Sequence, residues 1–185
     1  MEKKNIYILV IVVVLVGTGT GLGVYYGLIN QQSKEEKILL FFGSGVKQNF
    51  SMSMEDLKSK KYTQVENQLF YTLNFDGNIT TMGYFSGVSL KSILTEKNLL
   101  EPGAENYTGI GLDLYNPGAI WGMLNISNVM NNPESLCIIA YGGTDFSSLD
   151  VLPRLMINQS IVAPTVPTIR ASRYCVSNVT SIFIA

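Results

Sequence analysis

Histidine is absent from the chain. With it go the usual general base, the commonest metal ligand and every Ser-His or Cys-His nucleophilic pair. Charge is sparse too: 13 basic and 14 acidic side chains leave a net of −1, and charged residues make up only 15% of the sequence. That balance offers no broad basic surface, so nucleic acid is not an expected partner. Cysteine occurs twice, at Cys137 and Cys175. In an oxidising compartment the two could form one disulfide, and two buried free thiols are the alternative, since spacing alone cannot show that their Cα atoms approach within bonding range. Internal repeats and low-complexity tracts are missing as well.

What the sequence does have is an uncharged run from Ile6 to Ile29, rich in Ile, Val, Leu and Gly. It exceeds the roughly 20 apolar residues that a helix needs to cross a bilayer. Lys3 and Lys4 precede it, so the positive-inside rule predicts residues 1–5 in the cytoplasm and the rest of the chain across the membrane. A cleaved signal peptide is the rival, but the run is longer than a usual h-region and no A-x-A-like site follows. The expected localisation is therefore a single-pass cell-membrane protein with an extracytoplasmic C-terminal domain. Gly17, Gly21, Gly19, Gly23 and Gly27 give G-x-x-x-G spacings that would allow a helix-mediated dimer, although glycine is frequent in membrane helices in any case. Residues 30–36 read as a short polar linker and residues 37–185 as one domain, long enough for a real core.

The sequon N-x-S/T occurs at Asn49, Asn78, Asn106, Asn125, Asn158 and Asn178, which makes these glycosylation candidates outside the cell. Those within strands, Asn178 among them, can equally be unmodified polar edges. Lys58, Lys60 and Lys61 form the one basic cluster, a solvated turn or else a contact for anionic lipid.

Along the domain, Ile38 to Phe42 reads as a buried strand closed by Gly43-Ser44-Gly45, and Ser53 with Asp56 as a capping box for a short helix from Met54 to Ser59. Alternation predicts a strand from Gln68 to Phe75, with a turn through Asp76-Gly77-Asn78. Ser89 is a candidate N-cap for a helix presenting Leu90, Ile93 and Leu94. Ile110, Leu112 and Leu114 alternate as a strand, Ile120 to Met130 fits helix or strand, and Leu136 to Tyr141, Leu152 to Ile157 and Val176 to Ile184 complete the strands. A loop marked by Pro164 and Pro167 separates the last two. Many short strands with two or three short helices predict a single sheet-rich α+β domain.

Three segments in this order resemble the oxidoreductase molybdopterin-binding domain of the sulfite oxidase family. Phe85-Ser-Gly87-Val-Ser-Leu90-Lys-Ser-Ile-Leu94 is similar to its W-x-G-V-x-L-x-x-L-L segment. Leu136-Cys-Ile-Ile-Ala140-Tyr-Gly-Gly143 followed by Leu152-Pro153-Arg154-Leu155 is similar to its L-L-A-y-x-x-N-G and G-P-L-R-L-v pieces, and Val176-Ser-Asn-Val-Thr-Ser-Ile182 to V-K-W-v-x-x-I. The resemblance implies a sheet-rich fold that in active members holds a molybdopterin whose metal is bound by one cysteine thiolate. The matching L-x-C-x-G-N segment is here Leu73-Asn-Phe75-Asp-Gly77-Asn78, which puts Phe75 where the thiolate should be. Ser177 and Asn178 stand in for the family's terminal Lys-Trp pair. The chain therefore resembles a degenerate member, for which no metal site and no cofactor are expected, although molybdopterin follows from the resemblance itself.

By the same resemblance Arg154, Arg173, Gly77 and Asn78 are the candidate cofactor-binding residues. Arg154 could hold a phosphate or carboxylate or pair with Asp145 or Asp150, and Arg170 and Arg173 could join it in an anion site or flank a loop in solvent. Trp121 and the tyrosines read as core or rim residues, Asp76 and Asp113 form no recognisable carboxylate pair, and Gly142-Gly143 reads as a turn. Two functions compete. One is a module that binds a small anion or a surface protein and has no catalytic residues; the other is a molybdopterin-dependent oxidoreductase whose chemistry belongs to the cofactor.

Overall fold

The computed structural model describes residues 36–144, 146, 152–162 and 169–185. The apolar run from Ile6 to Ile29, the linker before Glu36, Asp145, Asp150, Pro164 and Pro167 lie outside the described residues. Among those described, no helix is long and apolar enough to cross a membrane.

Strand β1 (Lys37–Phe42) alternates Leu39 and Phe41, both buried, with the more open Leu40. Its partners are β2 (Phe50–Ser53), antiparallel, and β9 (Val179–Ile184), parallel in the register Leu40↔Ser181. On the far side of β9 come β5 (Asn106–Gly111) and the two-residue β6 (Leu124–Asn125), both antiparallel to their neighbours. The result is a five-stranded sheet in the order β2-β1-β9-β5-β6. A second, wholly antiparallel sheet has the order β3-β4-β7-β8, from β3 (Gln64–Leu73), β4 (Ile79–Ser89), β7 (Cys137–Gly143) and β8 (Arg154–Ile157). Among the described residues helices are few and short, the longest being Leu90–Glu96 with seven residues, so the domain is sheet-rich α+β.

Side chains of a strand point alternately to its two faces, and β7 and β8 use both. Cys137, Ile139, Leu155 and Ile157 join the main core with Leu39, Phe41, Tyr107 and Ile182 of the five-stranded sheet. Ile138, Ala140 and Met156 point the other way, into a smaller cluster with Val65, Phe70 and Phe85. Phe70 and Phe85 meet edge-on there, with centroids 5.9 Å apart.

Local signals read from sequence recur at the caps. The Ser53 hydroxyl accepts from the Asp56 amide at 3.0 Å, the Asp56 carboxylate accepts from the Ser53 amide at 2.9 Å, and the helix Met54–Lys58 follows. Burial pushes the Asp56 carboxyl up, but hydrogen bonds from Lys37 and Ser53 outweigh it and hold its pKa below the ordinary value. Ser89 caps the helix Leu90–Glu96 by accepting from the Ser92 amide.

Several boundaries differ from expectation. β3 starts at Gln64 and stops at Leu73, so Phe75 is not a packing residue on a strand face: it sits beyond the strand and is 81% exposed. The strand through Ile110, Leu112 and Leu114 ends at Gly111, because the Gly111 amide bonds back to the Tyr115 carbonyl and Leu114 turns to φ +62°. Ile120 to Met130 is neither one helix nor one strand but the end of the helix Pro117–Trp121, then β6, then the helix Ser127–Met130. β9 starts at Val179, and Asn178 occupies the turn before it at φ +50° rather than a strand edge. The short β2, Phe50-Ser51-Met52-Ser53, is too brief for its pattern to stand out in the sequence.

Candidate functional site

The hairpin between β3 and β4 is built on one side chain. The Asn74 Oδ1 accepts from the amides of Asp76 at 2.9 Å and Asn78 at 2.8 Å, and Gly77 takes φ +81° while donating to the Asn74 carbonyl. An Asn that bonds its own backbone two residues on is a standard turn device, and only a residue tolerant of positive φ fits at Gly77. The amides of Gly77 and Asn78 are both used inside the turn and so do not point at a ligand phosphate. The turn also throws Phe75 outward.

Beside this hairpin lies the single-turn 3-10 helix Ala171–Arg173. Buried Gln159 clasps the two together. Its Oε1 accepts from the Ala171 amide at 2.7 Å and the Leu73 amide at 3.3 Å, and its amide nitrogen donates to the Ile169 carbonyl at 2.8 Å. The Ser172 amide adds a bond to the Thr72 hydroxyl at 3.2 Å. A buried amide so fully paired fixes the geometry, because leaving any of these groups unmade would cost about 1–3 kcal/mol.

Held in this way, Arg170 lies over the Phe75 ring with its guanidinium carbon 3.8 Å from the centroid. Arg173 lies over Trp121 at 4.1 Å. Trp121, 44% exposed, is fixed in turn through its carbonyl, which accepts from the Tyr174 hydroxyl, while Tyr115 donates to the Arg173 carbonyl. Each such stack contributes about 0.5–1 kcal/mol at an exposed site. The Arg170 Nε has no hydrogen-bond partner. Arg154 is held differently, over Phe146 at 4.4 Å, and Phe146 packs on Phe85 of the smaller cluster. The structure thus sets Arg170 on Phe75 of the hairpin that carries Gly77 and Asn78, Arg173 on Trp121 and Arg154 on Phe146.

Sequence reasoning missed Gln159 and the role of Phe75 and Trp121 as arginine platforms. A signal existed only for the turn: Asn74, Gly77 and Asn78 have the residue types of a hairpin tip.

The residues present do not fit thiolate-bound molybdenum. A benzyl group at position 75 offers no lone pair, and among the described residues no group of three or more His, Cys, Asp or Glu converges. Both cysteines are free thiols, so the disulfide is not formed in this structure. Cys137 contacts the Tyr107 hydroxyl at 3.7 Å within the main core, whereas the Cys175 sulfur accepts from the Ile157 amide at 3.3 Å, so each thiol has its own partner. Burial pushes both thiols up to about 12, which makes thiolate scarce at neutral pH.

The sequons separate by burial. Asn49, Asn78, Asn125 and Asn178 are exposed and Asn106 is half-buried. Asn158 is 1% exposed and its amide nitrogen, the atom a glycan would need, donates to the Leu69 carbonyl. Against known proteins, no family model matches the chain and no curated protein matches it.

Proposed function

We propose that residues 37–185 are an extracytoplasmic recognition module, anchored by the Ile6 to Ile29 segment, that binds an anionic group of a small ligand or surface protein at the rim of Arg170, Phe75, Arg173 and Trp121. The observation that carries this reading is Arg170: a permanent cation, held over an exposed ring, whose buried Nε is left without a hydrogen-bond partner. A guanidinium pre-positioned by stacking loses little further freedom when it donates to a carboxylate or phosphate.

The finer assignment to a degenerate sulfite-oxidase-like fold belongs to the same proposal. Its support is the order of the three similar segments, which fall on β4 with the following helix, on β7 and β8, and on the entry to β9. Loss of the ligand cysteine accords with a fold kept for binding, since fold alone does not carry chemistry.

Two measurements on the full chain in lipid nanodiscs test the reading. Elemental analysis, after production in a host that makes molybdopterin, is expected to find no stoichiometric molybdenum; about one atom per chain would sink the degenerate-site idea. Titration with inorganic phosphate is expected to weaken about tenfold in Arg170→Ala, the loss of roughly one charge-assisted hydrogen bond. Unchanged affinity in that variant would remove the rim from consideration.

A further inference from the structure

The five-stranded sheet has two ends, and one of them gathers features that the anion rim does not use. Lys37 pairs with Ser53, β1 runs parallel to β9, and Gly111 pairs with Val179. The start of β1, the end of β2, the start of β9 and the end of β5 therefore share one end of the sheet. The chain that precedes the domain enters here, at Lys37. Only the seven residues 30–36 separate this end of the domain from the Ile6 to Ile29 segment in the sequence.

Just past the end of β5, the loop carries Leu112, 66% exposed, and Leu114, 83% exposed. Leu114 is held at φ +62° by the bond from its amide to the Gly111 carbonyl, and the Leu112 amide is tied to Asn178 in the neighbouring turn. A branched apolar residue in the left-handed region, facing solvent, is strained and contributes nothing to the core. On the other flank of the entry point, the helix after Ser53 carries Glu55 and Lys58, with Lys60 and Lys61 beyond it. Lys37 pairs with Asp56 at 2.7 Å.

We infer that this end of the sheet docks on the lipid headgroup interface, with Leu112 and Leu114 inserted into it. The inference rests on the membrane anchor in the proposed function and is independent of the anion rim. Exposed leucines on a firmly tied loop match the apolar contacts by which peripheral elements sit at the headgroup and acyl boundary. Acidic Glu36, Glu55 and Asp113 balance Lys58, Lys60 and Lys61, so neutral phosphatidylcholine is the surface expected to suffice.

The test uses the full chain in phosphatidylcholine vesicles, with a fluorescent label on Leu114→Cys, on Leu112→Cys, or on Ser44→Cys in the turn at the opposite end of β1. The native thiols, Cys137 buried and Cys175 half-buried, are pushed up to about 12 and so react far more slowly than an exposed engineered thiol. Blue-shifted emission and severalfold stronger quenching by acyl-brominated phosphatidylcholine at positions 112 and 114 than at 44 is the expected result. Equal quenching by aqueous iodide at all three positions, in protein that still floats with the vesicles, overturns the docking and leaves the anchor standing. Shielding from iodide without quenching by brominated lipid means a protein contact at the leucines and overturns it too. Failure to float with vesicles removes the anchor and the docking together.

Discussion

Phe41 and Phe75 are the same residue type put to opposite use. Phe41 is fully buried on β1 between the sheets, while Phe75 stands in the hairpin turn as a platform for Arg170. The interior asks only that a side chain be apolar and fit; the rim asks that a ring stay accessible beside a cation. A residue's type does not say which demand it answers, whereas the backbone that carries it does, since β1 alternates and the Asn74 turn does not.

The largest effect should come from that pair. Phe41→Ala is expected to lower the unfolding free energy by about 3–5 kcal/mol in denaturant titration, and Phe75→Ala by less than about 1 kcal/mol. Comparable losses would mean that Phe75 is a core residue after all.

Two glycines sharpen the contrast within the second sheet. A Cβ on Gly87 would sit 2.3 Å from the Ile139 carbonyl oxygen, a backbone atom that cannot swing away, while one on Gly142 meets nothing within 4 Å. Gly87→Ala should therefore cost about 1–3 kcal/mol and Gly142→Ala well under about 1 kcal/mol. Equal thermal shifts in the two would contradict the strand spacing described for β4 and β7.

The sequons make a third test. In a host that glycosylates exported chains, peptide mapping should find Asn78 modified and Asn158 unmodified. Asn158→Ala should cost about 1–3 kcal/mol, because the Leu69 carbonyl and the Ser160 groups lose their partner. A glycan on Asn158 would show that modification precedes folding there.

A graded effect concerns pH rather than a substitution. The folded state holds Cys137 and Cys175 near 12 against an ordinary value of 9.0, so above that value the unfolded chain releases protons that the folded chain keeps. Stability is then fully present below about pH 9 and falls as pH rises toward 12, by up to about 1.4 kcal/mol per pH unit for each thiol. Replacing Cys137 by Ala should flatten the alkaline slope of the unfolding free energy; an unchanged slope would mean that this thiol ionises normally in the folded protein.

How much of this was legible in the sequence varied with the range of the interaction. Ser53 with Asp56 and Ser89 with Ser92 are contacts between near neighbours, and the sequence displays both partners side by side. The sheet-rich α+β class followed from alternation in the same way. Phe75 and Leu114 deceived because each continues an alternating pattern past the residue where the chain turns, and the amides that donate to Asn74, with the Gly111 amide that donates to Tyr115, decide that turn. Gln159 was invisible: its partners Leu73 and Ala171 lie far off in sequence, and a lone glutamine carries no pattern. Arg170 and Arg173 were legible as cations, but their aromatic partners were not.

The parallel pairing of β1 with β9 sets the order of events in assembly. Leu40 meets Ser181 across about 140 residues of chain, the kind of distant contact that slows folding because the intervening loop must be closed first. At a synthesis rate of roughly 5–20 residues per second, β1 and β2 wait on the order of ten seconds for the strand that completes their sheet. Throughout that interval β1 presents an open edge bearing Leu39 and Phe41, which makes the nascent chain most vulnerable to pairing with another copy before its last strand arrives.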